Sequence, residues 1–156
     1  MKQLKDIIQE KLTISSNTKV NKITYNYHPK DKKELKEILK KRLKEDVNAN
    51  LNDIDVSDIT DMYNIFYDLN PHNIDISYWD VSNVKNMNFM FDECKNFNSD
   101  LSRWDVSNVK DMNSMFWQCK NFNSDLSNWD VSNVEDMGYM FDDCDSLKNI
   151  PSWYKE

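Results

Sequence analysis

The chain has 156 residues, a single glycine, three cysteines and a net charge of −7. Such a length suits one domain with a sizeable core, and no run of it approaches the roughly 20 apolar residues of a membrane span. Residues 1–46 carry 13 Lys/Arg against 7 Asp/Glu and residues 47–156 carry 7 against 20, so the longer part should repel nucleic acid phosphates.

Residues 1–12 (MKQLKDIIQEKL) predict a charged amphipathic helix with Leu4, Ile7, Ile8 and Leu12 on one face. The segment has neither the continuous apolar stretch and cleavage site of a signal peptide nor a lipid-attachment cysteine, so a cytoplasmic location is expected. Residues 15–18 read as a loop. Ile23, Tyr25 and Tyr27 alternate with polar residues, which predicts a strand over 20–27 that His28-Pro29-Lys30 breaks. Asp31 opens a second helix to about Glu45, with Leu35, Ile38, Leu39 and Leu43 inward and Glu34 at capping-box spacing. Its Lys32, Lys33, Lys36, Lys40, Lys41, Arg42 and Lys44 are interleaved with Glu34 and Glu37, as on a solvated helix face. The alternative is a basic module for an acidic partner. Residues 48–52 form the join to the remainder of the chain.

That remainder is a repeat. WDVSNVKNMNFMFDECKNFNSDLSR (79–103) returns as WDVSNVKDMNSMFWQCKNFNSDLSN (104–128). It starts again as WDVSNVEDMGYMFDDCDSL from Trp129, with one residue missing before Ile150-Pro151-Ser152-Trp153. A degenerate copy precedes them: Ile54-Asp55-Val56-Ser57-Asp58-Ile59, then Met62 and Phe66, in the same register. Four units at a 25-residue period predict a stack in which each touches its neighbours. In the second unit Val84, Met87, Met90, Phe91 and Cys94 share one face of a predicted short helix, with Ser82 and Asn83 as capping residues. Residues 101–106 predict a short parallel strand. The fold expected is therefore α/β: a leucine-rich-repeat-like right-handed solenoid of about four 25-residue coils, each a short strand plus a short helix. A propeller of WD repeats fails on period. Residues 1–50 are expected to be an α–β–α capping subdomain and 51–156 the repeat solenoid, because Ile54, Leu69 and His72 stand where later units have Trp, Cys and Phe. Asn is expected to take the left-handed turn positions that glycine would otherwise fill.

The pattern WDVSNVxxMxxMFxxCxxFNxDLSxW, over roughly residues 50–153, resembles the repeat of the BspA-like bacterial surface proteins, a divergent leucine-rich-repeat family also described as a domain of unknown function. The resemblance implies a solenoid that binds host or cellular proteins, often on lipid-anchored or secreted chains, and it implies no catalytic residues.

The residues themselves point away from an enzyme. His28 and His72 are the only side chains with unperturbed values near neutrality, and neither belongs to a nucleophile arrangement. Cys94, Cys119 and Cys144 recur on the apolar face and are expected to be reduced, buried fillers of the core rather than zinc ligands. Asp55, Asp80, Asp105 and Asp130 form one acidic column, and Asp75, Asp100 and Asp125 another. Either they close turns with the following Ser, or they share a cation such as calcium. No cofactor is expected.

Two function classes remain: a protein-binding scaffold, and a calcium-stabilised structural or sensing repeat. For the first, repeat positions seven, eleven and fourteen vary most: Thr60/Asn64/Tyr67, Lys85/Phe89/Asp92, Lys110/Ser114/Trp117 and Glu135/Tyr139/Asp142. On helices they would form one solvent-facing stripe carrying Tyr67, Phe89, Trp117 and Tyr139, suited to a protein interface or to self-association. The rival surface is the strand side, with Tyr78, Arg103 and Asn128.

Overall fold

The structure, a computed structural model, describes residues 23–155. The helix expected over 1–12, the loop at 15–18 and the start of the strand at 20–27 lie outside the described residues. Within 23–27 no strand forms; Tyr27 alone is bridged, in parallel, to Ile54, and the Asp55 N–H donates to the Tyr27 carbonyl at 2.9 Å.

The helix expected from Asp31 is present as α1, Lys32–Glu45. The Asp31 carboxylate accepts from the Glu34 N–H at 2.8 Å, and the Glu34 carboxylate accepts from the Lys30 N–H at 2.9 Å, so both sides of the cap are closed. Steps of four put Leu35, Leu39 and Leu43 on the buried face. The basic side chains do more than face solvent. Lys36 Nζ donates to the Asn64 carbonyl at 2.9 Å, Arg42 Nη2 donates to the Asn50 carbonyl at 2.7 Å, and Arg42 Nη1 pairs with Asp53 at 2.9 Å. Helix α1 thus lies against the join and the first repeat unit and satisfies one carbonyl of each, at Asn50 and at Asn64.

Beyond α1 the described chain contains no helix and no strand longer than a single bridged pair. The expected α/β leucine-rich-repeat-like solenoid of strand-plus-helix coils is therefore wrong, and so is the α–β–α form of the N-terminal part. Each unit is a succession of tight turns. The N–H of Val84 donates to Val81, Met90 to Met87, Cys94 to Phe91, Phe97 to Cys94 and Trp104 to Leu101, at 2.9–3.1 Å. A turn closed between residues three apart sends both ends inward, so apolar residues recur at a step of three without any helix. Residues 101–106, expected as strand, are one of these turns, opened by Ser102 donating its N–H to Asp100 at 2.9 Å.

Intervening N–H groups bond to the next unit. Met87 donates to Asp111, Phe89 to Asn113, Phe91 to Met115 and Glu93 to Trp117, at 2.8–3.0 Å; Met112, Ser114, Phe116 and Gln118 repeat the pattern onto Asp136, Gly138, Met140 and Asp142. Parallel bridges join Asp61 to Asn86, Asn86 to Asp111 and Asp111 to Asp136. The geometry requires left-handed backbone twice per unit: Asn64 and Asp68, Phe89 and Glu93, Ser114 and Gln118, Tyr139 and Asp143, all with φ between 53° and 62°. Positive φ every few residues cannot belong to a continuous right-handed helix. Contrary to expectation, Asn fills few of these places: among the described residues only Asn64 and Asn70 do.

Turn corners stack from unit to unit into closed columns. Trp79, Trp104, Trp129 and Trp153 lie ring on ring, with centroids 6.5, 6.5 and 6.3 Å apart and planes within 8° of parallel. Phe66, Phe91, Phe116 and Phe141 do the same at 4.9, 5.5 and 5.8 Å. Each Trp79, Trp104 and Trp129 ring is at most 5% exposed, as their repeat position demands. The residue missing before Ile150 leaves Trp153 in its column.

Candidate interaction surface

The three variable repeat positions do not form the helical stripe expected of them, because no helix carries them. Position seven (Thr60, Lys85, Lys110, Glu135) is exposed throughout. Position eleven is the left-handed corner: Asn64 and Phe89 are half-buried, Ser114 is buried and Tyr139 is 65% exposed. At position fourteen Tyr67, Trp117 and Asp142 are half-buried and Asp92 is buried. The expectation of a uniformly solvent-facing stripe fails at Ser114 and Asp92.

What the structure does bring together is an aromatic pair on the side of α1. Tyr63, 43% exposed, meets Phe89 edge-on at 6.3 Å, and Lys32 Nζ sits 5.1 Å over the Tyr63 ring. A groove of about 280 Å³ beside them is lined by Lys32, Lys33, Lys36, Glu37, Tyr63 and Asn64. Sequence reasoning passed over Tyr63. Its signal was present: the same repeat position holds Asn88, Asn113 and Gly138 in the other units. On the rival side Tyr78 is 53% exposed and Arg103, one unit on, lies with its guanidinium 5.3 Å over the Tyr78 ring; Asn128 is exposed.

The acidic columns are engaged in local bonds. Asp55, Asp75, Asp80 and Asp105 each accept from both the N–H and the hydroxyl of the Ser two residues on, the hydroxyl at 2.6–2.7 Å. Asp100, Asp125 and Asp130 accept the N–H of Ser102, Ser127 and Ser132 at 2.9–3.0 Å. Bonds from Ser57 and from Ser107 hold the Asp55 and Asp105 carboxyls below the ordinary carboxylate value, because they favour the charged form. Among the described residues no three His, Cys, Asp or Glu side chains are arranged to hold a metal ion.

His28 Nδ1 is 3.3 Å from Asp55, and His72 Nε2 is 3.5 Å from the Asn70 amide. Cys94 and Cys119 are buried and unpaired, but Cys144 is only half-buried, against expectation, because it stands in the last unit. Cys119 and Cys144 point their sulfurs at the carbonyls of Phe91 and Phe116, each at 3.0 Å. Burial pushes the Cys119 thiol far up and the Cys144 thiol up to about 12.

Asp92 is the departure from this order. Its residue is 9% exposed and its Oδ1 has no hydrogen-bond partner. Burial, reinforced by the adjacent Glu93, pushes its carboxyl up to about 6. Nothing in its sequence neighbourhood signalled this, since Asp142 holds the same repeat position less deeply.

No described helix is long and apolar enough to cross a membrane. The family model described as "Mycoplasma protein of unknown function, DUF285" matches residues 33–153, which takes in most of α1 and all the repeat units. No curated protein and no solved structure matches the chain significantly.

Proposed function

We propose that this chain, which belongs to the Mycoplasma family of unknown function DUF285, is a non-catalytic scaffold that binds a protein partner through side chains displayed on its repeat units. One observation carries the reading. At the left-handed corner of each unit stand Asn64, Phe89, Ser114 and Tyr139, with φ of 58°, 54°, 53° and 57°. Asn is among the residues that tolerate this conformation best, whereas a bulky aromatic there is strained by about 1 kcal/mol or more. Phe89 and Tyr139 are not repaid by the core, since Tyr139 is 65% exposed and Phe89 touches Tyr63 at the surface. Strain kept at surface sites outside the core argues for a role beyond the fold, and aromatics at the surface are among the side chains that dominate protein interfaces. The likeness to BspA-like bacterial surface repeats supports the same reading, as does the absence of a nucleophile beside His28 or His72 in the sequence pattern.

Replacing Phe89 and Tyr139 with Asn, the residue unit one already uses, tests it. The double variant should fold with stability equal to or above that of the parent and lose at least tenfold in affinity for proteins captured by the parent from its native cell. Capture that is unchanged in the folded variant would remove these positions from the binding surface.

A further inference from the structure

Helix α1 carries seven Lys/Arg against three Glu, whereas residues 47–156 carry 7 against 20. Several of its cations have fixed partners: Lys32 pairs with Asp61, Lys40 with Glu37 and Arg42 with Asp53. Lys33 and Lys36 line the groove beside Tyr63 and close no ion pair among the described residues. Lys33 is exposed and Lys36 is half-buried. Burial, and after it the like charge of Lys40, holds the Lys36 ammonium below its ordinary value; Lys32 adds to this and Asp68 opposes it. A cation set among like charges is stabilised by an added carboxylate. The facing wall is aromatic, with Tyr63 exposed and Phe89 edge-on to it. Other units hold Asn88, Asn113 and Gly138 where Tyr63 stands, so the fold does not require a ring there.

We infer that this groove takes an acidic, extended segment of a partner protein, with carboxylates on Lys33 and Lys36 and an apolar side chain against Tyr63 and Phe89. The walls select the occupant. Nucleic acid or an anionic membrane would bring a continuous phosphate surface towards a molecule whose longer part is acidic, and would meet Glu37 and Asp61 at the groove. A peptide sets single carboxylates over the two lysines and avoids both. At about 280 Å³ the groove falls short of the roughly 300–1,000 Å³ of small-molecule sites, which leaves room for side chains rather than for a whole ligand. Residues 1–22 carry five Lys against two Asp/Glu, so their charge does not complement it. A second copy offers its acidic columns on closed turns, where Ser hydroxyls already hold Asp55, Asp75, Asp80 and Asp105, and not on an extended segment. The inference rests on the scaffold reading and names a class of partner for it; it shares only Phe89 with the corners proposed above.

The test uses the whole chain, labelled for NMR, and the synthetic acidic peptide GSEEDFEESG. Peptide should shift the amides of Lys33, Lys36, Tyr63 and Phe89. Lys33→Glu alters a side chain that makes no hydrogen bond among the described residues, so it should fold as the parent does and weaken binding by roughly tenfold or more. Tyr63→Asn installs the residue that units two and three already use and should weaken binding by about fivefold or more. The uncharged peptide GSQQNFQQSG should bind roughly tenfold more weakly, and Tyr139→Asn should bind the acidic peptide as the parent does. No binding, binding that survives Lys33→Glu, preference for phosphatidylserine vesicles or single-stranded RNA over the peptide, or a self-dimer that Lys33→Glu dissolves would each overturn the inference. The two readings fail separately. Peptide binding together with unchanged capture by the Phe89 and Tyr139 double variant would remove the corners and keep the groove; lost capture without peptide binding would do the reverse.

Discussion

The indole Nε1 of Trp104 donates to the carbonyl of Ile76, 28 residues back and 3.0 Å away, while its ring lies parallel at 6.5 Å to that of Trp79 in the unit below. Trp79 and Trp129 bond in the same way to Leu51 and Leu101. One side chain therefore fixes both the spacing and the register of two units. Trp104→Ala should cost about 3–5 kcal/mol in denaturant unfolding, through lost burial and the cavity left behind. Trp104→Phe keeps a ring in the column but removes the indole bond, leaving the Ile76 carbonyl with the Trp79 N–H alone, and should cost about 0.5–1.5 kcal/mol. A loss below about 1 kcal/mol for the Ala variant is the size found at surface sites and would contradict the stacked column.

Asp92 should make the protein less stable at neutral pH than in mild acid. Its folded value is raised from 3.8 to about 6, so between those values the folded chain holds a proton that the unfolded chain has released. Stability contributed by that proton is present below about pH 4 and is lost as pH rises through 6. Asp92→Asn removes the charge and keeps the shape. The variant should exceed the parent by about 1 kcal/mol at pH 7, and the two should converge near pH 4. A variant weaker than the parent at pH 7 would show that the carboxylate is held by a partner.

The Asp-x-Ser turns should have the opposite pH dependence. Asp55, Asp105 and Asp130 are held below the ordinary value by bonds from Ser57, Ser107 and Ser132. Their contribution is complete above the unfolded value of about 4 and is lost as pH falls below it. Asp105→Ala should cost about 1 kcal/mol at pH 7 and much less at pH 3. Because the turn bonds engage these carboxylates, calcium should give no heat in titration calorimetry and a chelator should leave the melting temperature unchanged. A melting temperature that rises with calcium would establish the cation reading instead.

Thiol labelling without denaturant should separate the cysteines by their place in the stack. Cys144 is half-buried and should react first; Cys94 and Cys119 should follow only as the chain opens. The thiolate is the reacting species, and burial holds it back in all three. Labelling of Cys119 as fast as Cys144 would mean that the central units are not closed.

The 25-residue period, the closed Trp and Phe columns and the capped helix over Lys32–Glu45 could all be read from the sequence, because each rests on residue type at a fixed step. Local structure within a unit could not, since apolar residues at Val84, Met87, Met90, Phe91 and Cys94 satisfy a helix face and a chain of three-step turns equally well. A discriminating signal existed. The same Asp-x-Ser motif precedes both Val84, expected to be helical, and Trp104, expected to be in a strand, so the two places share one turn. The left-handed corners were hidden because Phe, Glu, Ser, Gln and Tyr stand where glycine or Asn would have advertised them. That misreading displaces the candidate site as well: Tyr67, Phe89, Trp117 and Tyr139 are expected on one helical stripe, whereas Phe89 pairs with Tyr63, which the pattern passes over.

The proposed binding surface depends on the rungs being zipped unit to unit through left-handed corners, and scalar couplings across hydrogen bonds measure that directly. The N–H of Phe91 should couple to the carbonyl of Met115, and that of Phe116 to the carbonyl of Met140, the acceptors at 2.9 and 3.0 Å. Couplings from Phe91 to the carbonyl of Met87, four residues back as in an α-helix, would contradict the zipped stack.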